Sequence, residues 1–382
     1  MGIKTNKRLE YLDSARGLAA IFVVWGHFLF QYGVQDNIPA IAHSPLRIFY
    51  NAIPAVSFFF VLSGMVLSFK YFAKPVPINY KEYVIARLFR IYPAFLVVLL
   101  ISFIIQAFFY KQAANISPIA DGRDFWAGTI PAVGLMKEAF LFLNLQGSSS
   151  LVSQRWSLIV EIQISLLMPF MVLIAQRGIK WLFAFAFCII IFLHDAFSSI
   201  YFMHFALGLF IAYRYKEIIS RWSEAGKLSR IIFFTAGLLL YNYRYMIPYL
   251  QQAVLPGQVY ASIAGNELII RVSEGVGAAI LLMSLVGSDL LKKILSHKYL
   301  TFIGRVSYSI YLCHFIILLA ITPYCIMFLN NAGVSHRFTL LGIALVITTI
   351  LVLALSVILY YLVEKPFIRT GKMVASKYAT NP

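Results

Sequence analysis

The sequence predicts an all-α protein, a polytopic membrane helix bundle of about ten transmembrane helices, and three observations carry that prediction. First, 61% of the 382 residues are hydrophobic and 12% are charged, with a mean hydropathy of +0.81. Soluble domains run nearer 45–50% apolar and about 25% charged. Second, the apolar residues gather into runs long enough for a helix to cross a hydrocarbon core of about 30 Å. Third, the Lys and Arg residues fall unevenly between those runs. The spans lie near residues 12–32, 49–72, 91–110, 156–175, 179–195, 198–214, 229–247, 268–287, 302–327 and 339–363. With both termini cytoplasmic, 23 Lys and Arg face the cytoplasm, six face outward and three fall within spans. That asymmetry is what the positive-inside rule requires, and it predicts a cytoplasmic (inner) membrane protein with both ends inside. It also turns a net charge of +17 away from nucleic acid, because the charge is spread over separate loops rather than one face.

The first span, YLDSARGLAAIFVVWGHFLFQY, carries Asp13, Arg16 and His27 in a stretch long enough to cross a bilayer. Ionisable groups in hydrocarbon cost several kcal/mol unless paired or hydrated, so function is the default hypothesis. Arg16 and His27 are eleven residues apart, which returns them to within about 20° of one helix face and separates them by about 16 Å along the axis. A cation near one surface and an imidazole deep in the bilayer suit a substrate with an anionic head and a long reach. The structural readings are an Arg16 that snorkels to the interface and a His27 hydrogen-bonded between helices.

Ahead of the third span, YKEYVIARLFRIYP puts Arg87 and Arg90 three residues apart on one helical face, with Lys81 nearby. Guanidinium forks so spaced grip phosphate oxygens, although the same pattern serves as a positive-inside anchor on lipid head groups. The outer segment 111–155 contains Pro118, Pro131 and the GSSS run at 147–150. Its apolar middle, Pro131–Leu145, is too short to cross and reads as a re-entrant or interfacial helix.

The fourth span opens QRWSLIVEIQISLLMP, with Trp156 at the outer interface and Glu161 about 8 Å deeper. That depth matches His27, so the carboxylate is expected to orient the imidazole and raise its basicity. A buried Glu bonded to a neighbouring hydroxyl is the structural alternative. In the ninth span Ser307, Tyr311 and His314 follow an i, i+4, i+7 stripe that either lines a cavity for a hydroxylated ligand or a pantetheine arm, or bonds neighbouring helices. Arg271 and Glu274 read as a structural pair, and Arg244 among Tyr241, Tyr243 and Tyr245 reads as an interfacial belt. Pro366 is expected to stop the last span, with Glu364 and Lys365 interfacial and residues 367–382 a basic cytoplasmic tail after a membrane domain of 1–366.

No metal is expected: His43, His194, His204, His297 and His336 lack ligand spacing, and Cys188, Cys313 and Cys325 lie in apolar runs without a CxxC pattern. No cleavable signal peptide is expected, since the first span lacks a small-residue cleavage site. No GxGxxG, Walker A or HExxH pattern occurs, which leaves soluble nucleotide or zinc chemistry without support.

Taken together, LDSARG at 12–17 with the following His27, RLFRIYP at 87–93, WSLIVE at 156–161, SYSIYLCH at 307–314 and EKP at 364–366 resemble the acyltransferase 3 family of integral membrane acyltransferases. The resemblance implies transfer of an acyl group, usually acetyl from acetyl-CoA, to a carbohydrate hydroxyl at or beyond the membrane. It implies a catalytic His27 supported by Arg16, and an Arg-x-x-Arg element at Arg87 and Arg90 contacting the donor. The partners it implies are acyl-CoA, a carbohydrate or lipid-linked sugar acceptor, and membrane lipid. The extracytoplasmic SGNH-type domain of some relatives has no room in these 382 residues. His27 either deprotonates a sugar hydroxyl for direct attack on the thioester, the favoured route, or is itself acylated. The rival classes are a transporter or flippase of a lipid-linked sugar, which predicts broken spans in internal repeats, and a non-catalytic membrane scaffold.

Overall fold

The computed structural model describes residues 9–33, 45–73, 77–110, 126, 132–140, 151–193, 199–245 and 266–378. Every regular element among them is helical. In chain order these are α1 (Glu10–Gln31), a 3-10 turn (Pro45–Phe49), α2 (Ala52–Ala73), α3 (Tyr80–Phe108), α4 (Ala132–Ala139), α5 (Arg155–Arg177), α6 (Ile179–Phe192), α7 (Ser199–Tyr213), α8 (Tyr215–Glu224) and α9 (Lys227–Tyr241). They continue with α10 (Glu267–Gly287), α11 (Asp289–Leu295), α12 (Lys298–Arg305), α13 (Ser307–Ala320), α14 (Thr322–Asn331), α15 (Arg337–Leu359), a π-turn (Tyr360–Glu364) and α16 (Lys365–Ser376).

Six described helices are long and apolar enough to cross a membrane: α1, α2, α3, α5, α10 and the run Arg337–Ser376. The broken pair α12 and α13 makes a seventh if counted as one span. The expected ten rested on apolar run length, and run length hides breaks. With 14 residues in α6 and 15 in each of α7 and α9, these helices are apolar but about 21–23 Å long, so length alone does not count them among the spans. The ninth expected span is divided at Val306 and again at Ile321.

The chain forms two compact units. The first contains Met1–Val23, Ile38–Ile78 and Gln163–Arg305. Its centre is α2 against α7, two helices that touch at glycines. A Cβ on Gly208 would fall 2.7 Å from the Met65 nitrogen, and one on Gly64 would fall 2.8 Å from the Phe205 Cα. Small residues at such crossings let backbones close up where lipid offers no hydrophobic drive. Val61, Leu62, Met65, Ile211, Ala278 and Leu282 fill the core around this contact.

The second unit contains Val24–Asn37, Asn79–Ile162 and Val306–Pro382. Phe28, Tyr32, Trp126, Phe315, Leu318 and Leu340 form its core. Two expectations change here. Glu364, expected as an exposed interfacial charge, is buried within the protein, and its carboxylate accepts a 2.7 Å hydrogen bond from the Ser309 hydroxyl. Pro366 does not end the helical path, because it occupies the first turn of α16, where amide donors have no intrahelical partner to lose. The π-turn before it absorbs the change of register, and residues expected as a loose tail form α16, whose Gly371 lies on the Phe89 side chain of α3.

Of the expected re-entrant segment, α4 alone is described; Pro118, Pro131 and residues 147–150 lie outside the described residues. The three cysteines are free thiols.

Candidate functional site

The second unit brings two of the sequence's candidate histidines together. His27 near the end of α1 and His314 in the middle of α13 approach so that His27 Nδ1 lies 3.0 Å from His314 Nε2. The Phe315 ring flanks both imidazoles, 4.7 Å from His27 and 4.4 Å from His314 between centroids. His314 is fully buried, and its Nδ1 lies 2.7 Å from the Tyr311 carbonyl.

These distances decide the tautomers. A carbonyl only accepts, so His314 Nδ1 carries a hydrogen and donates it. In neutral His314 the other nitrogen, Nε2, is then an acceptor, so His27 Nδ1 must be the donor. That assignment places the lone pair of neutral His27 on Nε2, the nitrogen facing away from His314. In that tautomer a proton taken up at Nε2 leaves the His27–His314 hydrogen bond in place, as general-base chemistry at this ring requires.

Two residues that sequence reasoning did not single out hold this relay in place. Gln154 Nε2 donates to the Tyr311 and Leu312 carbonyls, at 2.9 Å each, and thereby anchors the strand of carbonyls on which His314 leans. Ser157, itself buried, shares a 2.5 Å hydrogen bond with the Tyr311 hydroxyl. Both lie in the QRWSLIVE stretch beside Trp156 and Glu161. Their signal was a run of three polar residues at a helix start, which reads equally well as a span boundary.

Glu161 does not orient His27. Its Oε1 accepts a 2.9 Å hydrogen bond from Arg87 Nη2, in an ion pair whose side chains are 25% and 8% exposed. A buried guanidinium has a stronger claim on a carboxylate than a neutral imidazole has, because leaving it unpaired costs more. Arg87 and Arg90 share the face expected of residues three apart, yet Arg87 is buried and Arg90 exposed. The Arg87 Nε is buried with no acceptor among the described residues. Tyr308, whose hydroxyl donates to the Ile91 carbonyl at 2.8 Å, lies within electrostatic reach of Arg87, Arg90, Glu161 and Glu364. Ser307 is buried at the first turn of α13.

In the first unit, Arg16 Nη1 donates to Asp13 Oδ1 at 2.9 Å, with the arginine 16% exposed. The next residue, Gly17, crosses Gly304 of α12 so closely that a Cβ on Gly17 would fall 2.7 Å from the Gly304 nitrogen. The glycine of the LDSARG motif is therefore a packing requirement on the residue beside Arg16. Arg271 pairs with Glu274 at 3.0 Å, as expected of a structural pair, and Arg244 pairs with Glu267 rather than standing alone among tyrosines.

Among the described residues, no three His, Cys, Asp or Glu side chains gather as metal ligands; His43 and His194 lie outside them. No curated protein and no solved structure matches the chain. A family model described as an acyltransferase domain matches residues 9–361, nearly the whole length. By that match the chain belongs to the acyltransferase 3 family.

Proposed function

We propose that the protein is a membrane O-acyltransferase that moves an acetyl group from acetyl-CoA to a hydroxyl of a carbohydrate or glycoconjugate, such as a surface polysaccharide or its lipid-linked precursor. The observation that carries this reading is the Tyr311 carbonyl–His314–His27 relay, which leaves His27 Nε2 as the basic atom. In this scheme Nε2 takes the acceptor's hydroxyl proton as its oxygen attacks the thioester carbonyl carbon. The carbon–sulfur bond then breaks, and the proton passes from His27 to the departing CoA sulfur, so the imidazole ends as it began. His314 acts as the positioning residue for His27, the part first given to Glu161.

Arg90, exposed, and the buried Arg87 with its spare Nε supply guanidinium donors for the phosphates of the nucleotide. Glu161 holds Arg87 in place for that task. Ser307 and Tyr311 offer hydroxyls to the pantetheine arm, and Arg16, eleven residues before His27 on α1, supports the catalytic histidine, as the family resemblance implies. The Lys and Arg asymmetry supports an inner-membrane protein with both termini in the cytoplasm, on the side where acyl-CoA is made.

The test is free-thiol release from acetyl-CoA by the full-length protein in proteoliposomes, with and without candidate acceptors, for wild type and His27→Ala. Acceptor-dependent release that disappears in His27→Ala is the expected result. Release without acceptor points instead to an acylated His27 or to water as acceptor. No release with any acyl-CoA, from protein that still binds sugar, overturns the enzyme in favour of the transporter.

A further inference from the structure

A cavity of about 560 Å³ lies in the first unit, where α8 joins the end of α7 to the start of α9, and no residue of the proposed acyl-transfer machinery lines it. α8 has no buried residue and carries Lys216, Glu217, Arg221 and Glu224. The helices around it are apolar, and α10 ends beside it at Gly287, where an added Cβ would fall 2.7 Å from the Trp222 Cβ. The cavity thus opens at the polar end of three apolar helices, the position of a membrane surface.

Its rim is cationic. Arg214 and Arg221 both pair with Glu217, at 2.6 and 2.8 Å, so with Arg230 three cations face one carboxylate. Arg230 donates from Nη2 to the Ser223 carbonyl at 3.0 Å and stands over the Trp222 ring, 5.9 Å from its centroid. Its Nε is buried and has no acceptor among the described residues. The floor is apolar, built from Phe210, Ile218, Phe233 and Met283. The α9 member of that floor, Phe233, is itself exposed.

A surplus of positive charge above an apolar floor that is partly exposed at Phe233 fits an anion joined to a hydrocarbon tail. We propose that this cavity binds an anionic phospholipid, its phosphate held by Arg214, Arg221 and Arg230 and an acyl chain lying against Phe210 and Phe233. A free phosphate would use the rim and leave the floor without a purpose. A zwitterionic lipid would bring its own cation to a site already rich in them.

The test is quenching of Trp222 fluorescence by brominated-chain lipid in vesicles of phosphatidylcholine, using full-length protein with Trp222→Phe as the background. At equal fractions, brominated phosphatidylglycerol should quench Trp222 more than brominated phosphatidylcholine does. That preference should fall roughly fivefold for each of Arg214→Gln and Arg230→Gln. Arg230→Lys should retain part of it. Equal quenching by the two lipids in the wild type overturns the proposal and needs no variant to fold. Loss of the phosphatidylglycerol preference on adding inorganic phosphate or CoA also overturns it, in favour of a soluble phosphate ligand. None of these readouts depends on acyl transfer.

Discussion

His27 and His314 share a single bridging proton, so changing one ring resets the other. Without His314, His27 can rotate or take the other tautomer, and neither keeps Nε2 basic in the right place. We therefore expect His314→Ala to lower kcat by about 10²–10⁴ while leaving the KM for acyl-CoA nearly unchanged, because the loss is one of base catalysis and not of binding. Steady-state kinetics at saturating acceptor distinguishes this from a folding defect, which would lower the active fraction without reshaping the pH profile. Glu161→Gln should act differently. It strips the partner from a buried guanidinium and should cost about 3 kcal/mol of stability, the low end for a broken buried pair because Glu161 is a quarter exposed. A thermal midpoint lowered in Glu161→Gln and partly restored in the Arg87→Gln, Glu161→Gln double variant would check it. His27 and Glu161 were legible as candidates because a charge or imidazole in an apolar run has few innocent explanations. Their partners were not, since equal depth permits a contact without choosing it, and the choice between His314 and Arg87 was made by contacts spanning 287 and 74 residues of chain.

The helices were legible wherever an apolar run and a single helix coincide, as in α1, α2, α5 and α10. The reading failed where a run contains two helices, because Gly304 and Pro323, each two residues from the breaks at Val306 and Ile321, look no different in sequence from Pro93 and Pro169, which lie inside unbroken helices. It failed again at Pro366, where a residue that ends most helices begins one. The α2–α7 crossing shows how much of the packing depends on missing atoms. Adding one methyl at Gly208 drives it into the Val61 and Met65 backbone, which has no rotamer to escape into. Gly208→Ala should therefore destabilise the protein by about 1–3 kcal/mol, read as a lower thermal midpoint in detergent. Gly342→Ala on α15, where a Cβ would meet nothing, should be nearly neutral and serves as its control.

At the scale of the molecule, neither compact unit is a continuous stretch of chain. α1 changes unit after Val23 and α5 after Ile162, so each of these helices contributes to both. A helix cannot melt over half its length without exposing hydrogen bonds at the break, and we expect calorimetry to show one cooperative unfolding transition. Two well-separated transitions would count against it. The charge asymmetry makes a second prediction at this scale. With the ten expected crossings, α6, α7 and α9 among them, and in a background without the native cysteines, Ser223→Cys and Ser296→Cys should be labelled from the cytoplasmic side by a membrane-impermeant maleimide, and Asn330→Cys from the opposite side. The Gly17–Gly304 contact bears on how such a chain can change over generations. At most core positions a methylene lost on one helix can be answered by one gained on its neighbour, so sequences wander in compensated pairs. Where two glycines meet backbone to backbone, every substitution adds atoms and none removes them, so no compensating partner exists. Drift should stall at these two positions for a reason of geometry alone, even in descendants in which Arg16 has been replaced.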